Sequence, residues 1–294
     1  MMPRSAANRA SLLALRNPLT RSSTYLGMRP GDLEGKPYAR HWNPEMAPPQ
    51  PQVADALTRG PETMEKALPL SQAARLLEAG VLPLENGYTQ RESGEIFVAV
   101  QTQMPGVTGP MFEWWMGWHP QEAQRYKLWH PGAHLLNGTR EMHGDDPSLS
   151  DREKYQTTHF VTEYVGRKQQ AITITFTPAE KWFPAGINLR AAGTTALVCG
   201  EVRLQKIPIT IGYLIHQIRE GGKSGAEMRS RFWLGRPRLP GLSRRHPLGR
   251  VLARSGLVSR QHGGDLGQDM VMHCAMEMNH LSSFLPTLYR DYHA

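Results

Sequence analysis

His273 and Glu277 fall four residues apart in a stretch, residues 266–289, whose apolar side chains recur at helical spacing. On a helix, positions i and i+4 face the same way, so this imidazole and carboxylate can share one ion. A neutral nitrogen beside an anionic oxygen suits Zn²⁺ or another first-row divalent cation. The pair shares its stripe with Met270, Leu281 and Leu288, and a carboxylate buried in such company has to be neutralised, paired or metal-bound. An exposed ion pair gives the same spacing, so these two residues alone leave both readings open. A second concentration runs from Trp118-His119-Pro120 to Arg125-Tyr126-Lys127-Leu128-Trp129-His130-Pro131-Gly132-Ala133-His134, three histidines within a short reach between tryptophans. Glu163 stands in the apolar run Phe160–Val165, and His216 closes Ile211-Gly212-Tyr213-Leu214-Ile215-His216. A polar residue in a strand sits as readily on the solvent face, and spacing does not show whether these groups converge.

The elements that must position them follow from pattern. Residues 24–60, with Pro30, Pro37, Pro44, Pro48, Pro49 and Pro51, are expected to cross a surface with little regular structure. Residues 61–80 carry Ala67, Leu68, Leu70, Ala73, Leu76 and Leu77 near helical spacing and predict one or two short helices closed near Gly80. Ile96–Val100 reads as a strand. Met111–Trp118 reads as a buried helix, followed by a polar, His-rich turn over 119–134. The runs 160–165, 171–176, 194–202 and 207–217 are rich in β-branched residues and read as strands. Residues 266–289 predict a long helix that Pro286 should kink or end. Strands closed by a C-terminal helix argue for an α+β domain in which the helix lies against a curved antiparallel sheet, with a cavity between them.

Composition bounds the rest. The 294 residues suffice for one large domain or two modest ones, and no apolar run reaches the roughly 18 residues of a membrane span. The two cysteines, Cys199 and Cys274, cannot build a disulfide framework, which points to a reducing, cytoplasmic compartment. The net charge of +8 is concentrated. Residues 1–23 hold four arginines and no acid, reading as a flexible N-terminus or, with their serines, as an organelle transit peptide. Residues 228–264 hold nine arginines and no acid, with many glycines and prolines. A solvated loop is the expectation there, since only Phe232 and Trp233 accompany the arginines and nucleic-acid binding wants more aromatic surface. Trp-rich and Arg-rich surfaces leave room for a homodimer.

Trp114-Trp115, Trp118-His119, the block Arg125–His134, His216-Gln217-Ile218-Arg219-Glu220, Met228–Gly235 and His273-Cys274-Ala275-Met276-Glu277-Met278 occur in an order that resembles the 2,4-diacetylphloroglucinol hydrolase family, which includes phloretin hydrolase. The resemblance runs from about residue 25 to 290. It implies a zinc hydrolase that cleaves the carbon–carbon bond between a polyhydroxylated aromatic ring and an acyl group. It also implies a small, mostly helical N-terminal region over 24–95, followed by a helix-grip (Bet v 1-like) catalytic domain over 96–294. Carried over, the zinc ligands are His134, Glu163, His273 and Glu277, with His130 the rival for the first place. The catalytic histidine falls on His216, and the substrate-contacting Tyr and Asn fall on Tyr126 and Asn137. A second substrate tyrosine expected near the Arg-Ser-Arg-Phe-Trp block is absent, leaving Phe232 in its neighbourhood, so the substrate's identity is more open than the reaction class. The implied partner is a small acylated phenol, without nucleic acid or membrane. Two other functions share such a fold: a non-catalytic carrier of hydrophobic ligands, and a biosynthetic enzyme using the same zinc site on an aromatic polyketide.

Overall fold

The computed structural model describes residues 28–29, 31–141, 143–207, 209–222, 225–239 and 265–293. The Arg/Ser-rich residues 1–23 and most of the Arg-rich stretch beyond 239 lie outside these. Eight strands form one antiparallel sheet: β1 Gly87–Gln90, β2 Ile96–Pro105, β3 His134–Thr139, β4 Thr158–Val165, β5 Lys168–Thr177, β6 Thr194–Leu204, β7 Thr210–Gly222 and β8 Gly225–Arg238. Their order across the sheet is β1-β2-β8-β7-β6-β5-β4-β3. Around it pack α1 Pro51–Arg59, α2 Gly109–Trp118, α3 Ala123–Trp129, α4 Asp151–Tyr155 and α5 Leu266–Tyr292. α5 lies against β2 and β1 and reaches β4, α2 and α3. A long C-terminal helix packed against one antiparallel sheet is the helix-grip architecture.

Burial explains the arrangement. Strands buried on both faces read as continuous apolar runs, and β2 opens with five buried residues in a row. Val98 and Val100 of β2 point inward with Leu281, Leu285 and Leu288 of α5. Each such leucine contributes about 1.5–3 kcal/mol on full burial. The outer face of the sheet, through Phe97, Leu197, Cys199 and Ile215, is covered by Leu68, Leu76, Leu77, Leu82, Leu84 and Phe183. α2 begins where the Thr108 hydroxyl accepts from Met111 N at 3.4 Å. Gly109 lets this helix settle on β6, for a Cβ there would stand 2.6 Å from the Thr195 backbone.

Several expectations change. Residues 51–59 are helical, because Pro51 presets the first turn and Val53 and Ala56 bury one face. The helical spacing of 70–77 produces a 3₁₀ segment broken at Gln72 rather than an α-helix. The His-rich turn contains α3, which buries Tyr126, Leu128 and Trp129. The strand expected from 207 starts at Thr210, with Ile207 half exposed. The solvated Arg-rich loop is overturned over its first part. Residues up to 238 are β8, and Arg229 and Arg231 are wholly buried, both held by Glu85. Pro286 does not end α5, which runs on to Tyr292. It packs near Gly106 on the helix's half-buried side, and Ser282, whose carbonyl loses its partner, is itself only part-buried. β1 lies N-terminal to residue 96, yet it is an edge strand of the same sheet.

Candidate metal centre and active-site cavity

Two local geometries build the centre. On the sheet, His134 of β3 is directly opposite Glu163 of β4, and cross-strand partners project from the same face. A turn sets His134 there: Ala133 N and His134 N both bond to the His130 carbonyl, and Tyr164 N bonds to the Ala133 carbonyl. On the helix, His273 and Glu277 are one turn apart on the side of α5 that faces the sheet, and both are buried. The two pairs meet. His134 Nε2 lies 3.7 Å from Glu163 Oε2 and 3.4 Å from Glu277 Oε2. His273 Nε2 lies 3.9 Å and 3.5 Å from the same two oxygens. Ligand atoms about 2.1 Å from a tetrahedral ion stand about 3.4 Å apart, so each imidazole nitrogen stands from the carboxylate oxygens at close to the spacing of co-ligands.

The chemistry of the donors fits such an ion. Imidazole nitrogens with a carboxylate oxygen suit a first-row divalent ion, and among the described residues His134, Glu163 and His273 form a group that could hold one, while Glu277 reaches both imidazoles but lies outside that group. His134 Nδ1 donates to the Tyr126 carbonyl at 3.1 Å, which leaves Nε2 as the lone pair; that atom is buried and has no hydrogen-bond partner. Burial and the neighbouring His273 hold His134 well below the usual imidazole range. Burial alone would lower His273 too, but Glu277 and Glu163 outweigh it and raise it to about 9. The carboxylates therefore draw positive charge into this spot, and a cation would displace that proton. Burial also raises Glu277, against the pull of His273. His130 stacks on His273 with ring centroids 4.9 Å apart, beside the group rather than within it.

The cavity extends from this centre. β4 alternates, sending His159, Val161, Glu163 and Val165 inward, as expected of a strand with period two. Ile172, Ile174 and Phe176 continue the apolar wall, and Leu214, His216 and Phe232 face it from β7 and β8. Tyr126, Asn137, His216 and Phe232 thus border the same space as Glu163, His273 and Glu277. The Tyr126 hydroxyl donates to Glu163 Oε2 at 2.5 Å, and its ring stacks on His134 at 3.8 Å. Burial, then the charge of Glu163, raises the Tyr126 hydroxyl well above its ordinary range, so it keeps its proton. Burial lowers His216 to about 3, so its imidazole is neutral.

Three neighbours had no clear signal in the sequence. Ser230 lies opposite His216 on β8, with Oγ 2.8 Å from His216 Nδ1; a serine in a strand announces nothing until the register is known. His159 and His119 line the cavity as well. His119 stood out in the sequence only as one histidine among three, and His159 gave the alternation of β4 as its only cue. Neither cysteine offers a nucleophile, since burial pushes both thiols far up.

The chain is similar to known proteins over most of its length. The family model described as "DAPG hydrolase PhiG domain" matches residues 68–290. A "2,4-diacetylphloroglucinol hydrolase" from Pseudomonas sp is 31% identical over 274 residues, covering 88% of this chain and 90% of that protein. Its counterpart from Pseudomonas protegens is also 31% identical, over 88% of this chain and 86% of its own length. A "Phloretin hydrolase" from Eubacterium ramulus is 25% identical over 264 residues, 86% of this chain and 89% of that one. Among solved structures, Ara h 8.0201 aligns with a TM-score of 0.28 and 12% identity, covering 61% of this chain and 99% of its own. With a family model spanning most of its length and relatives matched nearly end to end, the chain belongs to the DAPG hydrolase family and is a hydrolase.

Proposed function

We propose that this enzyme is a zinc-dependent hydrolase that cleaves the carbon–carbon bond between an acyl group and a polyhydroxylated aromatic ring. The substrate would be 2,4-diacetylphloroglucinol, giving monoacetylphloroglucinol and acetate, or a related acylphloroglucinol or phloretin-like ketone. The observation that carries this is the meeting of two His/Glu pairs, one from the sheet and one from α5, at an apolar cavity wide enough to be lined by strands β4 to β8. The names of the relatives supply the substrate class.

His134, Glu163, His273 and Glu277 would hold the cation. When bound, a divalent ion there supplies Lewis-acid polarisation of a substrate oxygen and a lowered pKa for water. The apolar wall formed by Val161, Val165, Ile172 and Phe176 receives the ring and excludes bulk water. Asn137 and Tyr126 orient ring hydroxyls, and Phe232 packs against the ring opposite them. Water oxygen adds to the acyl carbonyl carbon, and the ring carbon departs with the bonding electrons. That carbon must be protonated, and a hydroxylated ring spreads the charge until it is. His216 is assigned this proton transfer: neutral at the outset, it takes the proton that the adding water loses and passes it to the ring carbon, and because its Nδ1 is held by Ser230, Nε2 is the ring nitrogen left for the cavity.

The test is product analysis with a panel of acylphloroglucinols and phloretin. Stoichiometric release of the carboxylic acid with the deacylated ring is expected. Failure to release acid from every member would sink the proposed substrate class while leaving the metal centre standing.

A further inference from the structure

Asn137 projects from β3 into the cavity wall, and one half of its amide is already committed. The commitment starts at the Trp115 carbonyl, which can only accept. It lies 2.7 Å from His119 Nδ1, so Nδ1 carries the ring proton. His119 is fully buried, and burial lowers it to about 3, so the ring is neutral and Nε2 is a bare lone pair. Asn137 Nδ2 sits 2.9 Å from that lone pair, and only the amide N–H can meet it. Oδ1 is then the half left over, buried and without a protein partner. Turning the amide over would press two lone pairs together in a dry site and leave both without a donor.

Neighbouring groups share this polarity. The Tyr126 hydroxyl donates its one hydrogen bond to Glu163, so toward anything else it can only accept. His159 places Nε2 3.1 Å from the Tyr155 carbonyl, which fixes the proton there and leaves Nδ1 as a lone pair. Both residues line the cavity with Asn137.

We propose that His119 is a positioning residue that locks Asn137 with Oδ1 toward the cavity, so that this wall accepts hydrogen bonds and binds the aromatic ring through protonated hydroxyls, as a neutral phenol rather than a phenolate or an ether. The lock itself rests on geometry. The identity of the ligand rests on the acylated-phenol reading above. A phenolate oxygen placed here would face acceptors alone, and a methyl ether would strand Oδ1 without a donor, so both are selected against by repulsion and lost pairing.

The experiment has two arms on the full-length protein. In the first, calorimetry measures binding of an acylphloroglucinol and its mono-O-methyl ethers to the wild type, His119→Phe and His119→Gln. The wild type should bind at least one ether about tenfold or more weaker than the parent phenol. In His119→Phe the freed amide can rotate and donate to the ether, and the ratio should shrink to about threefold or less. His119→Gln, whose own amide can bridge the Trp115 carbonyl and Asn137, should restore the wild-type ratio. Equal binding of phenol and ethers by the wild type, or an unchanged ratio in His119→Phe with both ligands weakened alike, overturns the proposal. In the second arm, long-range ¹H–¹⁵N spectra report the His119 tautomer, assigned by its disappearance in His119→Phe. An Nδ1-protonated ring is expected, and an Nε2-protonated ring refutes the lock whatever binds. If the wild type binds none of the compounds, the substrate class fails, and the tautomer still decides the lock.

Discussion

His216 and Ser230 carry the sharpest single-residue test. Replacing His216 with Ala removes the assigned proton carrier and should lower kcat about 10²- to 10⁴-fold. KM should change much less, because Leu214, Phe232 and the opposite wall still shape the pocket. Ser230→Ala keeps the imidazole but frees its orientation; a fall in kcat of about tenfold is expected. Steady-state kinetics on both variants check this, and a His216→Ala enzyme with wild-type kcat would remove His216 from the mechanism. At this scale the sequence was partly readable. The His273/Glu277 spacing exposes its own logic, because a helix places i and i+4 together wherever it sits. His134 and Glu163 do not, since their meeting depends on which strands pair and in which register. Ser230 and His159 are common residue types in strands, and only the cross-strand partner or the inward face gives them meaning.

Elements hold the residues in place through a few close approaches. α2 carries Trp115 and leads into His119, and it rests on β6 where Gly109 meets the Thr195 backbone at a distance no Cβ tolerates. Gly109→Ala should therefore destabilise the fold by about 1–3 kcal/mol, measured as a lower urea midpoint with an unchanged slope; an unaltered midpoint would show that α2 can shift without cost. The helix-grip outline was legible because the strands alternate and α5 keeps its apolar stripe for most of its length. β8 was not. Arginines, glycines and prolines gave residues 228–238 the look of a loop, whereas Arg229 and Arg231 are buried because Glu85, remote in sequence, takes their charge. Composition cannot reveal a counter-ion that only the fold delivers. The same holds for Pro286, whose tolerance depends on facing the half-buried side of α5.

Across the whole molecule, burial of many histidines makes stability depend on pH. His119, His130, His134, His159, His216 and His280 are all held below their usual range, chiefly by burial. Below about pH 6.5 the unfolded chain protonates them and the folded one does not, so unfolding takes up protons and stability falls on acidification. Glu277 and Glu113, both raised by burial, oppose this with one proton each, fewer than the six histidines. His273, raised to about 9, is charged in both states below pH 6.5 and adds no slope there. With a chelator present, the urea midpoint should drop steadily from pH 6.5 to 4.5; a flat or rising midpoint would contradict the neutral, buried assignment. Ion binding adds stability by mass action, so the same protein without chelator should show a higher midpoint at pH 7.

The central claim is that side chains from β3, β4 and α5 close on one cation, and metal content tests it most directly. Elemental analysis of the purified wild type should find close to one zinc per chain, with the zinc largely lost in His273→Ala and Glu163→Gln variants that still fold. Full zinc content in those variants, or a wild type that takes up no divalent metal, would contradict the account.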